Sequence, residues 1–149
     1  MKRTGALVDV QEVRKLDAYL KKLFANARVR VVPKKADEAD VFVGEERVGG
    51  LTVDDEDEER SYNLEIKITM GEAVNIKNLK TLEAYLRRKF DTERIRVVAR
   101  PRKTDSAEVY IGEEYIGVLF FDEKETRSCY FEMAILALDL EEAGLGRSA

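Results

Sequence analysis

Residues 41–51 read VFVGEERVGGL and residues 109–119 read VYIGEEYIGVL. The echo extends well beyond these segments. LDAYLKKLFANARVRVV (16–32) aligns with LEAYLRRKFDTERIRVV (82–98) at an offset of 66, with 9 of 17 positions identical. VFVGEERVGGLTVD (41–54) aligns with VYIGEEYIGVLFFD (109–122) at 68, with 7 of 14 identical. RSYNLEIKI (60–68) aligns with RSCYFEMAI (127–135) at 67, with 4 of 9 identical. The three blocks keep their order, and the offset changes only inside polar segments, where duplicated domains absorb length changes as surface loops. The chain is a tandem duplication. Solenoids need three or more repeats, so two copies point to a paired-domain protein. Met70 to Val74, between the copies, is too short for a flexible tether.

Each copy opens with a helical stripe. Val10, Val13, Leu16, Tyr19, Leu20, Leu23 and Phe24 recur at spacings of three and four, as do Ile76, Leu79, Leu82, Tyr85, Leu86 and Phe90. Asp9 with Glu12 reads as a capping box, and Asn75 as the second cap. Four strand-like runs follow. Residues 28–32 and 94–98 alternate Arg with Val or Ile, the period-two pattern of a half-buried strand. Residues 41–43 and 47–53, like 109–111 and 115–121, form hairpins turning at Gly44 and Gly112, and residues 62–69 alternate again. The expected fold is α+β: two tandem αββββ units, 8–70 and 74–140, forming an intrachain pseudo-dimer between flexible tails at 1–7 and 141–149.

Composition excludes whole classes of chemistry. The chain has no histidine, which removes His-based triads and His metal ligands. One cysteine allows neither an internal disulfide nor a Cys-rich zinc site, and points to a reducing, cytoplasmic setting. Gly-rich phosphate loops of the common types are absent. No apolar run is long enough for a membrane span or a signal peptide. No cofactor is expected, and the protein is not expected to be an enzyme.

The strings LEAYLRRKF (82–90), IRVVARPRKTDSAEVYIGEEYIGVLFFD (95–122) and RSCYFEMAILALDL (127–140) resemble the DUF3126 family, a bacterial family of unknown function. The first copy is a weaker likeness, with PKKADEA at 33–39 in place of RPRKTDS but RSYN kept at 60–63. The resemblance implies architecture and no activity or site residues. A family member is usually one unit long, so the resemblance also implies that single-unit relatives pair as homodimers and that this chain holds such a pair covalently.

A single helix covers one face of a four-stranded sheet. If Val97, Val109, Ile111, Phe131, Met133 and Ile135 face the helix, then Val98, Tyr110, Tyr130, Ala134 and Leu136 face away. The matching outward residues of the first copy include Val32, Phe42, Asn63 and Lys67, a more mixed set. Units of about 60 residues have marginal cores, so the two copies are expected to pack on each other by sheltering these outer faces. The other reading is that some of these residues are core.

Charge is split within each copy. Residues 82–103 hold eight basic against three acidic residues, and 104–126 hold one basic against seven acidic. Arg94, Arg96, Arg100 and Arg102 with Val98, Tyr110, Tyr130 and Leu136 make the candidate interaction surface. The expected role is a non-enzymatic protein-interaction or regulatory module whose partner is another protein. The alternative is nucleic-acid binding through 94–103, set against a net charge of −4 and the lack of an aromatic stacking motif beside the arginines. The acidic run DDEDEE (54–59) lacks the spacing of a cation loop and reads as solvated surface. Glu45–Glu46 and Glu113–Glu114 read as turn residues, and Cys129 as a buried apolar group beside Phe131.

Overall fold

A computed structural model describes residues 10–54 and 60–141. The first repeat contains α1 (Val10–Leu23), β1 (Val29–Lys35), β2 (Glu38–Val43), β3 (Glu46–Asp54) and β4 (Ser61–Thr69). The second begins with a 3-10 turn, Ile76–Asn78. It continues with α2 (Leu79–Phe90), β5 (Ile95–Ala99), β6 (Ser106–Ile111), β7 (Glu114–Phe121) and β8 (Ser128–Leu136). The strand order is β1-β2-β3-β4-β8-β7-β6-β5, so β1 and β5 are the sheet edges. The β1–β2, β2–β3, β5–β6, β6–β7 and β7–β8 ladders are all antiparallel. Two αββββ repeats in one eight-stranded sheet are the expected intrachain pseudo-dimer.

The helical stripes are what the core is made from. Leu16, Leu20 and Phe24 are buried, as are Leu82, Leu86 and Phe90 at the same places in the second repeat. Each buried side chain of this size contributes about 1.5–3 kcal/mol relative to exposure. α1 packs on β1 and α2 on β5. Both helices end through a left-handed residue at matched positions, Ala25 (φ 51°) and Asp91 (φ 54°). Asn75 caps the 3-10 turn in a reciprocal box with Asn78, so the expected cap holds one short turn before α2 begins. Asp9 lies outside the described residues. Glu12 accepts hydrogen bonds from Tyr62 Oη at 2.6 Å and Arg60 Nε at 2.5 Å.

By contacts the chain forms two compact units, Met1–Leu64 with Ala134–Ala149, and Glu65–Met133. The first unit therefore includes the end of β8. There the Ala137 amide donates to the Arg60 carbonyl at 3.1 Å, and Leu140, in helical residues 137–141, is buried. That helical segment was not anticipated from the sequence. The second unit includes the last residues of β4, where the Met70 amide donates to the Arg127 carbonyl at 2.8 Å.

The strand phase is as alternation requires. Val97, Val109, Ile111, Phe131, Met133 and Ile135 are buried. Val98, Tyr110 and Tyr130 are half-buried, Ala134 is exposed, and Leu136 is 40% exposed. These residues are therefore not core. The two repeats pack against each other within one sheet, β4 beside β8, by strand order rather than by the expected sheltering of these outward residues, which among the described residues stay half-buried to exposed. Backbone pairing at an edge satisfies N–H and C=O groups without consuming a face.

Candidate functional site

The outer face of the unit Glu65–Met133 gathers its side chains in three rows across the strands. In the first, Tyr115 opposes Tyr110 and Tyr110 opposes Arg96. The two tyrosine rings meet edge to face, with centroids 5.8 Å apart. Arg96 lays its guanidinium 4.9 Å from the Tyr110 centroid and donates from Nε to the Gly112 carbonyl at 2.8 Å. In the second row, Glu132, Val118, Glu108 and Val98 succeed one another. In the third, Tyr130 opposes Phe120 and Phe120 opposes Ser106. Lys67 closes one end of this row, 6.0 Å from the Tyr130 centroid, and Arg100 the other, donating to Ser106 Oγ at 2.9 Å.

Two glycines let the chain form this surface. Gly112 starts the β6–β7 turn with φ +61°, a conformation that side chains with a Cβ rarely take. Beyond it Tyr110 pairs with Tyr115 but Val109 pairs with Gly117, so Ile116 is the extra residue of a bulge. The bulge shifts the phase of β7 by one. It thereby puts Tyr115 on the same face as Val118 and Phe120, three and five residues on. A Cβ on Gly117 would overlap the Glu132 carbonyl oxygen and lie 2.9 Å from a Phe131 ring carbon. Tyr110 Oη donates to Glu108 Oε1 at 2.8 Å, and this bond, with some burial, pushes the phenol pKa above its ordinary value.

Sequence reasoning placed Arg96, Val98, Tyr110 and Tyr130 on this face, and the structure brings them together. Arg94 and Arg102 are exposed, Arg102 within a turn at φ 63°, and Arg100 bonds Ser106. Leu136 belongs to the other compact unit. Aromatic rings do lie beside two of the arginines: Arg96 covers Tyr110, and Arg30 covers Phe42 at 4.9 Å in the first repeat. The ring and the cation come from neighbouring strands, so their adjacency is hidden in the linear sequence. Tyr115 and Phe120 were missed. Internal alignment carries the signal, since the first repeat has Arg47 and Thr52 at those positions.

Residues 12–70 and 78–139 each match the family model DUF3126, a protein of unknown function. The chain belongs to the DUF3126 family. It carries two copies of the DUF3126 unit in tandem. No curated protein and no solved structure matches the chain. In this DUF3126 protein no described helix is long and apolar enough to cross a membrane. Among the described residues no group of three or more acidic or sulfur ligands is placed to hold a metal ion. Five of the six DDEDEE positions, residues 55–59, lie outside the described residues.

Proposed function

We propose that this DUF3126 protein is a non-enzymatic protein-interaction module, acting in the cytoplasm, and that the outer face of Glu65–Met133 is its docking surface. The supporting observation is the contrast between duplicated units. Tyr115 and Phe120 are 53% and 40% exposed where the first repeat has Arg47 and Thr52. Aromatic side chains grouped on an open sheet face, interleaved with arginine, are the composition of interface centres.

The partner is another protein, and its chemistry follows from the rows. Two aromatic rows flank a middle row containing Val118 and Val98, which suits apolar side chains. Glu65 and Glu132 are exposed and have no hydrogen bond or ion pair among the described residues. With Glu108 they favour lysine or arginine from the partner. The same carboxylates repel a phosphate backbone, which weighs against nucleic acid despite the two cation–aromatic stacks.

The test grafts the first repeat's residues onto the second, as Tyr115→Arg with Phe120→Thr. A photo-crosslinker at Val118 in the full-length protein should trap a protein, and the double substitution should weaken binding of that purified partner at least about tenfold. Reversal at Glu132→Lys should weaken it further. Unchanged binding would reject this face. Oligonucleotide binding at low salt that disappears on replacing Arg94, Arg96, Arg100 and Arg102 would instead establish the nucleic-acid reading.

A further inference from the structure

The two sheet edges are closed by the same device, and one closure is less complete. An edge strand turns every second residue's N–H and C=O outward, open to another strand. On β1, Val31 N donates to Asp17 Oδ2 of α1 at 3.0 Å. On β5, Val97 N donates to Glu83 Oε2 of α2, also at 3.0 Å. The pairs occupy matched positions in the repeats, 17 with 31 and 83 with 97. On β5 a second bond joins them: Arg87 Nε donates to the outward Ile95 carbonyl at 2.8 Å, while Arg87 Nη2 lies 3.4 Å from Glu83 Oε1.

The next outward position differs. On β1 it is Pro33, which has no N–H to offer. The preceding outward amide, Val29 N, is taken by the Asn26 carbonyl at 3.3 Å. Every outward donor from Val29 to Pro33 is therefore bonded or missing. On β5 the residue matching Pro33 is Ala99, which keeps its amide and is exposed.

We infer that Glu83 and Arg87 form a latch on the β5 edge, and that without it the edge takes up β5 of a second copy of this chain. Antiparallel pairing about a two-fold axis at Val97 is self-complementary. Each Val97 exchanges N–H and C=O with its counterpart, and each Ala99 N–H meets an Ile95 carbonyl. Val97 N and Ile95 O are the groups that Glu83 and Arg87 occupy. The IRVVA sequence is β-branched and carries one charge, which suits such pairing. On β1 the same arrangement fails, because Pro33 has nothing to donate to the Val29 carbonyl.

Sedimentation velocity of the full chain over a concentration series tests the latch. Glu83→Ala should dimerise with a dissociation constant at least about tenfold below that of the parent chain. Asp17→Ala should sediment like the parent. Adding Ala99→Pro to Glu83→Ala should abolish the association. A folded Glu83→Ala chain that sediments like the parent would overturn the inference, as would equal association of Asp17→Ala. If Glu83→Ala fails to fold, amide exchange in the parent chain decides. Val97 N–H should exchange at least about tenfold more slowly than Ala99 N–H, and equal rates would dispose of the latch.

Discussion

Tyr62 Oη donates to Glu12 Oε2 at 2.6 Å, and Arg60 Nε reaches the same oxygen at 2.5 Å. This joins the first turn of α1 to the start of β4. Tyr62 is 1% exposed, so its hydroxyl needs a partner. Burial works against charge on Arg60, but its hydrogen bond to Tyr62 and the Glu12 carboxylate outweigh that and raise its pKa. Tyr62→Phe should cost about 1 kcal/mol, and Glu12→Ala about 2–3 kcal/mol, because it leaves the buried phenol without its acceptor and takes the carboxylate away from Arg60. Urea denaturation measures both, and a smaller loss for Glu12→Ala would contradict the arrangement.

Alkaline pH should weaken the fold through two matched positions. Burial, then Glu12, pushes the Tyr62 phenol from 10.0 up to about 12. Burial pushes the Cys129 thiol from 9.0 up to about 12. In both, the folded state favours the neutral form. Their contribution is complete below the ordinary values and lost as pH climbs toward about 12. The melting temperature should fall over that window, and the fall should be shallower for Tyr62→Phe with Cys129→Ala. An undiminished fall in the double variant would remove this explanation. The native thiol should also resist alkylation near neutral pH.

Gly117→Ala should cost about 2–3 kcal/mol, since its Cβ would press on the Glu132 carbonyl and the Phe131 ring. Gly71→Ala is the control, with no heavy atom within 4 Å of the added carbon. Thermal unfolding of both should separate them by several degrees.

Ala25→Gly should stabilise the protein by about 0.5–1 kcal/mol. The left-handed conformation at φ 51° costs alanine more than the chain entropy that glycine adds to the unfolded state. Asp91→Gly, at φ 54°, should act in the same direction. A loss of stability in both would mean that these helix ends are not strained.

The units were legible in the sequence because local periodicity encodes them. The three-and-four spacing from Val10 to Phe24 marked α1. Alternation correctly separated Val97, Val109 and Phe131 from Val98, Tyr110 and Tyr130. Cys129 was read as buried from its place two residues before Phe131, and it is. The three-row face was only partly legible. Tyr115 reaches it through the bulge at Ile116, which breaks the period of two, and Arg96 meets Tyr110 across strands 14 positions apart in sequence.

The sequence by itself determined the duplication, the order of helix and strands, and which side chains turn toward each helix. These follow from spacings within a few residues. Only the tertiary structure decided that β4 and β8 are neighbours in the strand order and that Glu83 reaches over the edge to Val97 N. A period of two tells which face a residue occupies. It says nothing about which edge is left free or which distant side chain bonds it, because those depend on register between segments far apart along the chain.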